Sequence, residues 1–171
     1  MGSRSGSVIE SLASQYRFKG YLQCDGFAGY ETAFKTNPDV RLVNCMAHIR
    51  RDFEHALGEN KKEAEYGLAQ IQHMYRIEHC CDKAGLSSDG RKAKRRELTR
   101  PIMEAMKTWM ETEGIKYSPQ SLIGKAVSYA YTRWDNMMRC LEDGRLLLGQ
   151  QPGGKCHPAN YFGAQELSLL R

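Results

Sequence analysis

Near Cys45 the apolar pattern of this chain changes period, and that change limits what it can fold into. Before it, Gly20–Cys24 and residues 40–45 (V-R-L-V-N-C) are short, alternating or β-branched runs that suit strands. Asp25-Gly26 closes the first as a turn signal, and N-P-D at residues 37–39 is a clean break before the second. After Cys45 the apolar residues recur at helical spacing. Residues 47–57 carry Ile49, Phe53 and Ala56 on one side, and residues 61–83 carry Ala64, Leu68, Ile71 and Tyr75.

The helical period continues downstream. Residues 86–90 are expected to be a loop. Residues 91–113 then carry Ile102, Met103, Met106, Trp109 and Met110 as a stripe, with Pro101 placed to divide the helix. Ser118-Pro119 is expected to open a last helix bearing Ile123, Val127, Ala130, Trp134, Met137 and Leu141, with Gly144 as its C-cap. These stripes are core, and none forms a cofactor box. The order strand, strand, then four or five helices predicts a small α/β remnant followed by a mainly α-helical region, predominantly helical overall. From Gly149 the pattern stops: G-Q-Q-P-G-G-K-C-H-P-A-N-Y-F-G-A is an irregular tail.

No apolar run reaches the roughly 18 residues of a membrane span, and the Gly/Ser/Arg-rich start lacks a signal-peptide core. A cytoplasmic protein with no membrane partner is expected. The six cysteines include no C-x-x-C pair, and Cys80 and Cys81 are adjacent, so free packed thiols are expected. The net charge of +5 favours a polyanionic partner, weakly. No Ser/His/Asp order, Gly-rich phosphate loop or H-E-x-x-H motif is present, so hydrolase and nucleotide-binding readings lack support.

Three features could carry chemistry. Asp25, at the C-terminal end of a strand and followed by Gly, is placed to hold a hard cation such as Mg2+; a turn aspartate is the plainer account. Cys45-x-x-His48 offers two metal ligands without a second pair, so a structural role at the strand-to-helix junction is expected for both residues. Arg50 and Arg51 follow it and could meet phosphate without reading sequence. Arg95 and Arg96, within the cluster Arg91, Lys92, Lys94, Arg95, Arg96 and Arg100, form either a phosphate track or a solvated helix face.

Ordered blocks then point to a family. G-Y-L-Q-C-D-G-F-A-G-Y (20–30), C-M-A-H-I-R-R-D-F (45–53), I-Q-x-M-Y-R-I-E (71–78), S-L-I-G-K-A-V-S-Y (121–129) and L-E-D-G-R-L (141–146) resemble the insertion-sequence-66 transposases over about residues 3–148. The resemblance implies a ribonuclease-H-like core with an Asp-Asp-Glu triad and Mg2+, a helical insertion between the second and third acids, and DNA (the transposon ends) as partner. It maps Asp25 onto the second acid, as catalytic residue and metal ligand, and Cys45 and His48 onto a C-x-x-H motif. It divides the chain into 1–58, partial catalytic core; 59–148, helical insertion; and 149–171, irregular tail. A bacterial host, with self-association or association with intact transposase, is implied too.

Two departures follow from the same mapping. The first acid is expected upstream of this chain. The third is expected after L-E-D-G-R-L in a segment of the form D-N-N-x-x-E-x-x-I-R-P, where this chain has G-Q-Q-P-G-G-K-C-H-P. Writing Gly149 to Pro152 as GGA CAA CAA CCC and dropping the first base gives Asp-Asn-Asn-Pro. Allowed codons continue the family pattern in that frame. A one-base frameshift near Leu148 is therefore expected, and neither Glu142 nor Glu166 stands where the motif needs its Glu. The expected function is that of a transposase fragment, inactive alone and binding Mg2+ poorly. The alternative is a non-catalytic module that binds DNA or transposase.

Overall fold

The computed structural model describes residues 11, 18–24, 26, 28–35 and 37–149, together with the backbone of 161–163. These fall into two compact units that meet in sequence between Asn44 and Cys45, the strand at 161–163 belonging to the first.

In the first unit, β1 (Gly20–Cys24) and β2 (Val40–Asn44) pair in parallel, from Gly20 opposite Val40 to Cys24 opposite Asn44. Parallel neighbours need a crossover, and α1 (Ala28–Phe34) lies between them in sequence. The order expected from sequence, strand then strand, places no helix there, and A-G-Y-E-T-A-F has weak helix propensity. It is helical because the crossover gives it a face to bury: Ala33 and Phe34 pack with Leu22, Val40 and Leu42, and Tyr30 lies partly against them. Across the strand pair the Arg41 guanidinium sits 5.3 Å from the centre of the Tyr21 ring, and its Nη1 donates to the Tyr21 hydroxyl at 3.2 Å. The expected break before β2 is an Asx turn, Asp39 N–H donating to Asn37 Oδ1 at 3.1 Å.

A third strand, β3 (Tyr161–Gly163), pairs antiparallel with β1, so the sheet order is β2-β1-β3. The sequence after Gly149 carries no periodic signal for it. The rest of the expected irregular tail lies outside the described residues.

The second unit is helical. It comprises α2 (Met46–Ala56), α3 (Lys61–Lys83), α4 (Ser88–Lys94), α5 (Arg100–Thr112) and α6 (Leu122–Met138). The stripes expected from sequence form one core around Ile49, Phe53, Ile71, Met106, Ala130 and Trp134. Gly67 sets the approach of α2 to α3: a Cβ there would fall 2.6 Å from two carbons of the Phe53 ring. Trp109 closes the other side, its ring 4.8 Å from Tyr66 and 6.4 Å from Phe53.

Three expectations are corrected here. The helix expected over 91–113 begins earlier, in the expected loop, where Ser87 Oγ accepts from Gly90 N–H at 3.2 Å as N-cap of α4. It is also interrupted by a π-turn, Arg95–Thr99, ahead of Pro101. Pro101 lacks an N–H and its ring crowds the carbonyl four residues back, so the ladder widens and Arg100 N–H bonds the Arg95 carbonyl instead. Second, α6 starts at Leu122, capped by Ser121 Oγ on Gly124 N–H at 3.1 Å, because Ser118-Pro119-Gln120 is spent on a preceding turn. Third, Gly144 does not cap α6, which passes into a 3-10 turn at Arg139–Leu141. A Cβ at Gly144 would lie 1.8 Å from the Ser88 carbonyl oxygen, so the position is glycine for close backbone packing.

The helical unit closes on its own beginning. After α6 a return segment, residues 142–149, runs back to the first turn of α2, where the Leu148 carbonyl accepts from Met46 N–H at 3.0 Å. That bond satisfies one of the donors every helix start leaves open. Gly149 follows with φ of 153°, and a Cβ on it would crowd Met46 N at 3.2 Å. Among the described residues no helix is long and apolar enough to cross a membrane.

Candidate functional site

Asp25, the expected acid and metal ligand, lies outside the described residues. Its neighbours are described. Cys24 ends β1 opposite Asn44 of β2, with Asn44 Nδ2 donating to Cys24 Sγ at 3.6 Å. Gly26 has φ of 76°, in the left-handed region that glycine enters without strain. Among the described residues no three His, Cys, Asp or Glu side chains converge to hold a metal ion.

Cys45 and His48 stand at the junction before α2. Cys45 is buried in the N-cap position without a side-chain capping bond, and its carbonyl accepts from His48 N–H at 3.3 Å. The Nδ1 of His48 is enclosed without a hydrogen-bond partner. One turn on is Asp52. Burial raises its carboxyl above the usual range, against the opposing pull of His55, Arg51, His48 and Arg133.

The four arginines proposed from sequence for DNA contact separate by environment. Arg51 and Arg96 are exposed. Arg50 is half-buried and pairs with Glu54 one turn away at 2.8 Å. Arg95 is the correction. Its side chain is 0% exposed, and all its N–H groups are engaged. Nε and Nη2 grip the two carboxylate oxygens of Glu78, each at 2.7 Å. Nη1 donates to the carbonyls of Cys140 at 2.8 Å and Asp143 at 3.2 Å, and Nη2 also donates to that of Leu146 at 2.7 Å. No donor is left for a phosphate.

The rest of the basic cluster is also partly spent. Arg91 turns inward to Glu78 and Asp82, Lys94 pairs with Glu97 at 2.8 Å, and Arg100 approaches Glu104 at 3.8 Å. Beside Arg95, complete burial pushes the Cys140 thiol up to about 12, more than the nearby guanidinium offsets. A cavity of about 380 Å³ opens between α3 and the return segment, with Glu78, His79, Asp82, Arg91 and Arg145 in its wall. Its guanidinium groups are already matched, Arg91 as above and Arg145 by Asp143 at 2.7 Å.

Sequence reading missed the Arg95–Glu78 clamp. Each residue carries a local signal, a basic cluster and the block I-Q-x-M-Y-R-I-E, but nothing local joins positions on separate helices to three backbone carbonyls further on.

The comparisons with known proteins agree with the sequence blocks. The model of the family described as Transposase IS66 family matches residues 1–149. Uncharacterized protein y4qI of Sinorhizobium fredii (strain NBRC 101917 / NGR234) is 30% identical over 137 residues, covering 75% of this chain and 25% of that protein. Uncharacterized protein y4hP of the same strain is 28% identical over 149 residues, covering 77% of this chain and 26% of its own length. This chain thus spans about a quarter of the length of either relative. No solved structure matches it. With a family match over residues 1–149 of 171, the chain belongs to the IS66 family of transposases.

Proposed function

We propose that this chain carries the second-acid strand pair and the helical insertion of a DNA transposase, and that alone it does not catalyse. In this reading β1, α1, β2 and α2 belong to residues 1–58 of a ribonuclease-H-like core, Asp25 is the second acid of an Asp-Asp-Glu triad, and the helices of residues 59–148 are the insertion before the third. The observation that carries it is the closed excursion of the helical unit. The helices beyond residue 58 return at Leu148 to the Met46 N–H at the start of α2, which brings the end of the insertion back to the core helix it left. Family membership supports the chemistry: hydrolysis at transposon ends, then joining of the freed 3′ hydroxyls to a target.

The full reaction needs carboxylates that clamp metal ions on both sides of the reacting phosphate. Asp25 supplies the second of them in this mapping, and the segment after Leu148 lacks the D-N-N-x-x-E pattern. A one-base frameshift near Leu148 accounts for that. The test is incubation of the purified chain with Mg2+ and DNA bearing the ends of its own element. No nicked or joined product is expected; strand transfer by the chain alone would refute the reading.

A second reading, a non-catalytic module that binds DNA, is favoured by the exposure of Arg51 and Arg96. Salt-sensitive DNA binding that weakens in Arg51→Ala and Arg96→Ala would support it, and binding indifferent to both would remove it.

A further inference from the structure

We propose that Arg95 is a positioning residue for the return segment: it holds the backbone of Cys140, Asp143 and Leu146, and so fixes where the chain arrives beside α2.

The geometry has three parts. Arg95 begins the π-turn, a widened turn of the kind frequently found at functional sites. From there its guanidinium spans three elements. It is anchored on α3 through both oxygens of Glu78 and reaches the 3-10 turn at Cys140 and the return segment at Asp143 and Leu146. Two residues beyond the last of these carbonyls, Leu148 accepts from Met46 N–H at 3.0 Å. The return segment has no helix or strand ladder of its own. Its course is set by local turn bonds, by the burial of Leu146 and Leu148, and by its bonds to Arg95 and α2, with Arg95 holding the carbonyl two residues before the Leu148–Met46 bond.

A lysine could not replace it. An ammonium carries three donors on a point charge, whereas this site uses five in a planar fork. Glu78 is the counter-charge that lets a guanidinium sit fully enclosed, and Arg91, also bonded to Glu78, keeps that carboxylate in place. What this positioning means for chemistry rests on the proposed transposase reading, in which the third acid follows the return segment. The placement itself does not.

The test is amide hydrogen exchange on the full chain, residue by residue, in two variants. Glu78→Leu with Arg95→Met removes both charges and keeps apolar volume, so that no unpaired ion is left to unfold the core. Arg95→Lys keeps the cation. In both, the Met46 amide is expected to lose protection by roughly tenfold or more, while mid-helix amides at Ile71 and Ala130 change by less than about threefold. Rescue of Met46 protection by Arg95→Lys would overturn the claim that five donors are needed. Unchanged protection at Met46 in the double variant would overturn the proposal, and so would an equal loss at all three sites, since that marks a general core role. No DNA or metal enters the measurement, so its failure leaves the transposase reading intact, and strand transfer by the chain alone, which would refute that reading, leaves this one intact.

Discussion

Replacing Glu78 with alanine strands a buried guanidinium, and the penalty can be worked from the geometry. Arg95 is 0% exposed and Glu78 13%, so neither charge is well solvated. Glu78→Ala removes the acceptors of Nε and one Nη2 hydrogen, while the bonds to Cys140, Asp143 and Leu146 remain. Removing one partner of such a pair costs about 3–5 kcal/mol. The Arg91 contact adds less than about 1 kcal/mol, because Arg91 is 19% exposed and keeps Asp82. Against a total stability of about 5–15 kcal/mol this is a large share. In urea, with a slope of about 2 kcal/mol per molar, the midpoint should fall by about 1.5–2.5 M. Far-ultraviolet circular dichroism would follow it. Glu78→Leu with Arg95→Met should be milder than either Glu78→Ala or Arg95→Ala, because no orphaned charge remains. A midpoint shift below about 0.5 M for Glu78→Ala would refute the clamp as described.

Other consequences follow from the packing and the electrostatics. Gly67→Ala should lower stability by about 1–3 kcal/mol in the same assay, since the new methyl meets the Phe53 ring at 2.6 Å. Asp52→Asn should become relatively more stabilising as pH rises through the acid range. The parent's folded carboxyl titrates above its unfolded value, so the folded state binds the extra proton and loses stability as that proton leaves. A melting-temperature difference between parent and variant that stays flat from pH 3 to pH 7 would contradict this. Alkylation of the native chain should modify exposed Cys80 and spare Cys140, whose thiol is enclosed and pushed up to about 12. Mass spectrometry before and after denaturation would show Cys140 labelled only when unfolded.

How much of this was legible depends on how local each cause is. The switch of period at Cys45 and the bounds of β1 and α3 follow from residues that are neighbours in sequence, so they can be read directly. α1 could not be, because A-G-Y-E-T-A-F becomes a helix only when a parallel strand pair demands a crossover. Pro101 was a visible interruption, but its resolution into a π-turn depends on how the ladder reforms around a missing N–H. Gly144 had the composition of a helix cap, and its cause is a backbone from another element, Ser88. Arg95 illustrates the limit for the site. Within R-K-A-K-R-R it is indistinguishable from exposed Arg96, and only the three-dimensional meeting with Glu78 and the carbonyls of residues 140–146 takes it out of solvent.

The central claim is that this chain is a transposase segment whose continuation past Leu148 is read out of frame. The nucleotide sequence of its gene, translated in all three forward frames, tests that most directly. The account predicts D-N-N-x-x-E one base over, beginning at the codon for Gly149. If no forward frame encodes that segment after Leu148, the frameshift is wrong and the chain's last residues need another origin.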